Sequence, residues 1–386
     1  MTSPLDQQMH QAIADAGGWL PFDRFMSLAL YAPGLGYYAN ARQKFGLWPA
    51  PRAGQVRPAP RGGSSGPAEP DPPEPDSGSD FVTAPELSPL FGEALAVQVG
   101  QALEATQTDE VWEFGAGTGA LAAQLLEALG DRIRRYVIVD LSGSLRQRQA
   151  EKLAPWRAKI EWLDQLPASF DGVVVGNEVL DAMPVQLLHF DGMQWLERGV
   201  VSAADGRLAY ADRPTALRPP EAAGEAMPPG SVTEIHPQAE AFVRTLATKL
   251  ARGAIFLIDY GFPEAEYYHP QRHGGTLMCH HLHQSDPDPL VQLGEKDITA
   301  HVNFTGVALA GQDAGLTVLG YTSQANFLIN CGIVDMLCHA TLPQRAMAHK
   351  LIAEHEMGEL FKVVGFATGE GFDAVGFSAG DRSHTL

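Results

Sequence analysis

The chain has 386 residues, of which 45% are hydrophobic, and a formal net charge of −19. That length suffices for one large α/β domain with insertions, or for two domains. So acidic a surface repels phosphate backbones, and the sequence has no Lys/Arg cluster, so we expect no nucleic-acid partner. The cysteines Cys279, Cys331 and Cys338 are too few for a disulfide framework and favour a reducing compartment.

The N-terminal sequence lacks the features of a targeting segment. Its first basic residue is Arg24, and Asp6 and Asp15 precede it, unlike a secretory signal or an Arg-rich transit peptide. No apolar run is long enough to cross a bilayer, so we expect no membrane insertion. These features predict a cytoplasmic protein, and they are compatible with a homodimer.

Composition divides the chain into four segments. The pattern of residues 1–46 predicts a helical lead-in or lid. It is amphipathic to about Leu30 and then continues as a Gly/Tyr-rich loop. Residues 47–79 are mostly Pro, Gly, Ser and Ala, which predicts a disordered insertion because little apolar surface could offset the entropy of ordering. Residues 80–369 form the main domain. The small, polar residues 370–386 predict a flexible tail.

Within the main domain, apolar strands alternate with helices. The predicted strands are Glu110–Phe114, Tyr136–Asp140, Lys159–Leu163, Phe170–Gly176 and Ala254–Asp259, with a late pair at Leu316–Tyr321 and Leu360–Ala367. Such apolar strands indicate a parallel sheet covered on both faces. Helical insertions are expected at about 205–250 and 265–360. Five parallel strands plus a C-terminal antiparallel hairpin is the order of the methyltransferase variant of the doubly wound, Rossmann-like α/β fold.

A glycine loop, Glu113–Gly119, lies between a predicted strand and a predicted helix. Glycines allow the backbone to turn sharply and approach a ligand, and the helix N-terminus offers free N–H groups. Asp140 ends the next strand, where a carboxylate binds ribose hydroxyls in such folds. Gly115, Gly117 and Ala120 also fit the dinucleotide fingerprint. The carboxylate of Glu113, the GxGxG spacing and the polar segment Asn177–Asp181 favour a methyltransferase over an NAD enzyme.

Several longer motifs resemble the MidA family of class I methyltransferases, which includes the mitochondrial complex I assembly-factor methyltransferase. The matching stretches are Leu30–Tyr38 (LYAPGLGYY), Asp80–Glu93, Glu113–Gly119, Val139–Arg146, Asn177–Val185 (NEVLDAMPV), Ile258–Gly261 and Gly275–Phe304. The resemblance covers nearly the whole chain and preserves the motif order. Two departures are Ser79, where the family usually has glycine, and the insertion at 47–79.

The resemblance implies S-adenosylmethionine as the cofactor and a protein as the methyl acceptor. One candidate acceptor is a respiratory-complex subunit, because the mitochondrial member methylates an arginine of complex I. The residues expected to bind the cofactor are Thr83, Glu113, Gly115, Ala116, Gly117, Gly119, Asp140, Leu141, Asp164 and Asn177. For Thr83 the alternative is a capping box with Glu86, and for Asp164 it is a solvated turn.

Acidic residues near the end of strand Phe170–Gly176 are the candidates for the acceptor site. Asn177, Glu178 and Asp181 follow this strand, and Glu234 could supply another carboxylate. Carboxylates match the planar, donor-rich guanidinium group, so we predict an arginine methyltransferase in which Glu178 orients the substrate. The alternative role for Glu178 is to cap a helix beginning near Val179.

Two other functions remain open from the residues alone. They are a catalytically silent, cofactor-binding assembly factor and, third, an NAD-dependent oxidoreductase. The run Cys279–His283 contains three histidines, but its spacing matches no usual zinc pattern, so we predict no metal site.

Overall fold

The computed structural model describes residues 3–40, 83–140, 143–220, 227–281 and 284–386. The predicted insertion at 47–79 and Leu141 lie outside the described residues. The α-helices are α1 Pro4–Asp15, α2 Phe22–Tyr31, α3 Ala84–Leu87, α4 Pro89–Thr106, α5 Ala120–Leu129, α6 Gly143–Lys152, α7 Pro237–Lys249, α8 Glu264–Tyr267, α9 Phe304–Asp313, α10 Gln324–Asn330, α11 Ile333–His339 and α12 Leu342–Ile352.

The strands fall into a central sheet and two smaller ones. They are β1 Leu20–Pro21, β2 Glu110–Phe114, β3 Arg135–Val139, β4 Ile160–Leu163, β5 Phe170–Asn177, β6 Gln186–Phe190, β7 Trp195–Ser202, β8 Leu208–Pro214, β9 Val232–Ile235, β10 Leu250–Phe262, β11 Met278–His281, β12 Gln284–Asp286, β13 Asp297–Thr299, β14 Val302–Asn303, β15 Leu316–Ser323 and β16 Phe361–Thr368.

The central sheet confirms the predicted topology. Its order is β15-β16-β10-β5-β2-β3-β4, and the short β14 pairs with the end of β10. Strands β10, β5, β2, β3 and β4 are parallel, whereas β16 runs antiparallel to both β10 and β15. Because the parallel strands end at one edge, the segments that follow β2, β3, β5 and β10 meet there.

The apolar strands are buried on both faces, as their composition predicts. Alternate residues of β10 enter different cores: Phe256 and Ile258 pack with α4 and α5, whereas Ile255 and Leu257 pack with α7 and α9. The two hydrophobic layers hold the strand ends in fixed register. The functional loops are therefore supported by a rigid scaffold.

The predicted helical insertion at about 205–250 is wrong for most of its length. Strands β1, β7, β6, β9 and β8 instead form a five-stranded antiparallel sheet, and among the described residues of this range only α7 is an α-helix. The insertion at about 265–360 is also only partly helical, since β11, β12 and β13 form a third sheet between α8 and α9. We refer to these two small sheets, with α1 and α2 packed on them, as the accessory lobe.

The predicted flexible tail is also wrong, since the last residues pack on the domain. Phe377 is buried in the core beside Phe327. The carboxylate of Asp381 accepts a hydrogen bond from Tyr321 N at 3.0 Å. Arg382 forms a two-pronged ion pair with Glu359, at 2.5 and 3.1 Å. One buried aromatic residue and a bidentate ion pair hold this segment in place.

Candidate active site

A large cavity lies at the carboxyl ends of the central strands. Its volume is about 1850 Å³, and its walls come from the glycine loop, the segment after β5, α7 and the accessory lobe. A site for one small ligand has typically ~300–1,000 Å³. The cavity therefore has room for a cofactor and for part of a second molecule.

The glycine loop forms one end of the cavity. Gly115, Gly117 and Gly119 have φ values of +66°, +52° and +82°, a region that favours glycine. Gly119 is the N-cap of α5, so free N–H groups of the helix face this end. A Cβ atom on Gly115 would lie 2.9 Å from Val179 Cγ2. The sequence thus produces a bare backbone cradle where the ligand approaches.

Glu113 lies at the base of this loop with only 2% of its surface exposed. Burial raises the pKa of Glu113 to about 7, and a hydrogen bond from Tyr136 Oη, at 2.7 Å, partly opposes the shift. The ionised form of a buried carboxyl group in this position becomes more stable when a cation binds beside it. The amino group of an amino-acid moiety would provide that cation.

One residue that the sequence did not indicate joins both parts of the predicted cofactor site. Gln149 is fully buried on α6, and its Nε2 donates to Gly117 O at 3.0 Å and to Asp140 Oδ2 at 2.9 Å. Its Oε1 accepts a hydrogen bond from Trp162 Nε1 at 2.9 Å. A single amide therefore fixes the glycine loop relative to the ribose-binding carboxylate. Isolated glutamines in helices carry no sequence signal for such a role.

The short helix α3 crosses between the two ends of the cavity. Thr83 is its N-cap but makes no side-chain capping bond, and Glu86 instead accepts a hydrogen bond from Thr118 of the glycine loop. The capping-box interpretation is therefore wrong. Thr83 and Glu86 both line the cavity, and a backbone hydrogen bond from Ala84 reaches the carboxylate of Glu178.

The segment after β5 presents the predicted acceptor residues. Glu178 has φ = +55°, which is uncommon outside glycine and often marks functional sites. Asn177 Nδ2 donates to Glu178 Oε1 at 2.9 Å, and no described residue bonds to the buried Asn177 Oδ1. Burial, followed by the charge of Asp181, raises the pKa of Glu178 to about 8. Turns, not a helix, follow Val179, so the capping alternative for Glu178 is wrong.

Asp259, at the end of β10, holds this segment in place. Its Oδ2 accepts hydrogen bonds from the backbone N–H groups of Val179, Leu180 and Asp181, at 2.8 to 3.2 Å. Burial together with the charges of Asp181 and Glu178 raises the pKa of Asp259 well above its usual range. Three carboxyl groups therefore lie close together at this end of the cavity.

Glu234 does not supply a further acceptor carboxylate. It is fully buried and lies behind the cavity wall, where it accepts hydrogen bonds from Tyr267 Oη, Thr276 N and Leu277 N at 2.8 to 3.1 Å. Thr276 and Leu277 themselves line the cavity. Glu234 thus supports the wall, and its predicted contact with a substrate is wrong.

Tyrosines of the N-terminal lead-in close the end of the cavity that holds Glu178 and Asp181, which we call the acceptor end. Tyr31 and Tyr38 stack with their ring centroids 5.6 Å apart. Tyr31 Oη donates to Ala182 O at 2.9 Å, and Tyr38 Oη donates to Asp297 Oδ2 at 2.8 Å. The motif LYAPGLGYY therefore connects the accessory lobe to the turn after Glu178.

Asp164 borders the cavity but differs from the other predicted residues. Its side chain is 74% exposed and forms an ion pair with Arg146. Its contact with the cofactor remains a prediction. Ala116, within the glycine loop, lines the cavity as expected.

Comparisons with known proteins identify the family. A model described as "Putative S-adenosyl-L-methionine-dependent methyltransferase" matches residues 94–322, more than half of the chain. A solved structure from Burkholderia thailandensis, a superfamily member bound to S-adenosyl-homocysteine, is 51% identical with a TM-score of 0.88. The match covers 99% of this chain and 96% of that one.

The chain belongs to this family of S-adenosylmethionine-dependent methyltransferases. It is also similar to "Protein arginine methyltransferase NDUFAF7 homolog, mitochondrial" of Caenorhabditis elegans, with 27% identity over 67% of this chain and 66% of the relative. The Mus musculus protein is 27% identical over 66% of this chain and 64% of its own length. The chain spans about two thirds of the length of these relatives.

The cavity fits S-adenosylmethionine, the cofactor of the family. The glycine loop and Glu113 suit the amino-acid end, and Asp140, held by Gln149, suits the ribose. When bound, the cofactor supplies an electrophilic methyl group on a positively charged sulfur. Because the cofactor of the family is S-adenosylmethionine, the NAD-dependent alternative is wrong.

The described residues contain no candidate metal site. No group of three or more His, Cys, Asp or Glu side chains within them could hold a metal ion. His281 Nδ1 is bonded to Glu295 O at 2.8 Å, while Leu282 and His283 lie outside the described residues. No helix in the described parts of the chain has the length and apolar character needed to span a membrane.

Proposed function

We propose that this protein transfers a methyl group from S-adenosylmethionine to an arginine side chain of a protein. The main support for this proposal is a set of oxygen atoms at the acceptor end of the cavity that can accept hydrogen bonds. They belong to Asn177 Oδ1, the Glu178 carboxylate and Asp181 Oδ1, and all three residues line the cavity. A guanidinium group has five N–H donors and no acceptor, which complements such a set.

The charge of these residues supports a cationic ligand. No Lys, Arg or His side chain of the described residues forms an ion pair with Glu178 or Asp181. Burial raises the pKa of Glu178 to about 8 and that of Asp181 to about 6. Unpaired buried carboxylates are costly, and a bound cation would restore their normal ionisation. Arginine remains charged at any physiological pH and so satisfies this requirement.

The shape of the site supports a side chain on a larger molecule. The acceptor end is bordered by the aromatic rings of Tyr31, Tyr38 and Tyr260, which suit the flat faces of a guanidinium group. The names of the curated relatives, protein arginine methyltransferases, agree with this substrate class. A respiratory-complex subunit as acceptor, a homodimer and a cytoplasmic location remain our proposals from the sequence.

Radiolabelled methyl transfer into a cell lysate tests the proposal. Purified enzyme, tritiated S-adenosylmethionine and lysate protein should give label that appears as methylarginine after acid hydrolysis. Glu178→Gln should bind the cofactor normally, yet label at least about a hundredfold more slowly. Label on lysine, glutamine or a small metabolite would overturn the arginine assignment. Cofactor binding without any transfer would favour the catalytically silent alternative.

A further inference from the structure

The two carboxylate oxygens of Asp181 have different surroundings. Asp181 is only 5% exposed, and its Oδ1 atom has no hydrogen-bond partner among the described residues although it borders the cavity. Its other oxygen, Oδ2, accepts a hydrogen bond of 2.5 Å from Tyr260 Oη. One oxygen is therefore fixed, and the other is available to a ligand.

Tyr260 is well placed to fix Asp181. It lies in the last part of β10, directly after Asp259, and its ring meets those of His301 and Phe361 edge-on at 5.2 and 5.4 Å. Asp259 holds the backbone N–H of Asp181 at 3.2 Å. Two consecutive residues of one strand thus position the backbone and the carboxylate of Asp181.

We propose that Asp181 Oδ1 accepts the proton that the acceptor nitrogen loses, and that Tyr260 is the residue that positions it. This inference rests on the proposed function and assigns separate tasks to the two acids. Glu178 orients the guanidinium group, and Asp181 removes the proton.

The transfer balances with these groups alone. The acceptor nitrogen forms the new N–CH₃ bond, the S–CH₃ bond breaks, and its electron pair stays on sulfur. The alkylated nitrogen then carries an additional positive charge and is strongly acidic, so a carboxylate can remove its proton. The proton passes to Asp181 Oδ1, and the substrate leaves as a methylguanidinium ion.

The environment of Asp181 suits a base that works near neutral pH. Burial raises the pKa of Asp181 to about 6, while the hydrogen bond from the Tyr260 hydroxyl opposes the increase. General bases are most effective when their pKa lies near the working pH. The titratable groups around the acceptor end are Glu178, Asp259, Tyr260, Tyr31, Tyr38, Asp297 and His301.

The test compares Tyr260→Phe with Asp181→Asn in the full-length protein. Tyr260→Phe keeps the ring packing and removes only the hydroxyl. Loss of that hydrogen bond should raise the pKa of the Asp181 carboxyl, which ¹³C NMR of Asp-labelled, cofactor-free enzyme measures, with Asp181→Asn identifying the signal. Labelling of lysate protein by Tyr260→Phe should fall about tenfold at pH 7 and recover partly at pH 8.5. Asp181→Asn should be at least about a hundredfold slower at every pH.

Cofactor affinity, measured by calorimetry, should be unchanged in both variants. An unaltered Asp181 titration and pH–rate profile in Tyr260→Phe would overturn the role of Tyr260. An Asp181→Asn rate within tenfold of the wild type would overturn the role of Asp181. The identity of the labelled amino acid is a separate result, so failure of the arginine assignment is distinguished from failure of this inference.

Discussion

Glu178→Gln should stabilise the cofactor-free protein while it slows methyl transfer at least about a hundredfold. The pKa of Glu178 is raised from 4.5 to about 8 because its carboxylate is largely buried near Asp181. Between these two values, the folded protein keeps a proton that the unfolded chain has released. The free energy of unfolding therefore falls as the pH rises through this window, and glutamine removes the effect.

The magnitude follows from the two pKa values. Each unit of difference corresponds to ~1.4 kcal/mol, which gives an upper limit of roughly 4 kcal/mol at pH 8 and under ~1 kcal/mol at pH 5. Urea unfolding of both proteins, without cofactor, at pH 5 and pH 8 measures this difference. The matched control is Glu127→Gln on the exposed face of α5, which should change stability by less than ~0.5 kcal/mol.

A decrease in the stability of Glu178→Gln at pH 8, or a gain of the same size at both pH values, would refute the reasoning. The first result would show that the carboxylate stabilises the fold. The second would show that relief of charge burial is not the cause. Either result would remove the argument that this site is destabilised until a cation occupies it.

Four other predictions concern the cofactor site and the insertion. Gly117→Val should abolish S-adenosylmethionine binding in calorimetry, because valine is strained at φ = +52° in a loop that lines the cavity; wild-type affinity would contradict the loop assignment. Asp140→Ala should weaken binding by roughly 1.5–3 kcal/mol with little change in the melting temperature of the cofactor-free protein. Gln149→Leu should weaken binding at least about tenfold, and much less so in an Asp140→Ala background, since Gln149 acts partly by holding that carboxylate. Deletion of residues 49–76 should leave soluble expression and cofactor affinity intact, because the stretch has few apolar side chains.

The central sheet could be predicted from sequence because its strands are almost continuously apolar. Strand β2 begins and ends at the predicted residues, and β3, β4 and β5 differ by a residue at their ends. Burial on both faces leaves such segments few alternatives to a parallel sheet.

The five-stranded sheet of the accessory lobe was not predicted, because its strands are only half-buried, so that polar residues obscure the apolar pattern. A usable signal was present. Asp191–Gly192 and Asp205–Gly206 occupy the turns before and after β7, and both glycines have positive φ. Asp-Gly pairs between such segments indicate β-hairpins.

For the site, sequence motifs located the glycine loop, Asp140 and the Asn177–Asp181 segment, since these follow predicted strands. They could not separate Glu178, which borders the cavity, from Glu234, which supports its wall, because that difference depends on tertiary burial. The contributions of Gln149 and Tyr260 depend on single side-chain hydrogen bonds between distant elements. No periodicity in the sequence reports such bonds.

The most direct test of arginine methylation is the identity of the methylated amino acid. Lysate protein labelled by the wild-type enzyme with tritiated S-adenosylmethionine would be hydrolysed, and the labelled amino acids separated and counted. We expect the label to be recovered as methylarginine and to be almost entirely lost with Glu178→Gln. Label on another amino acid, or methylarginine formed equally by Glu178→Gln, would contradict this expectation.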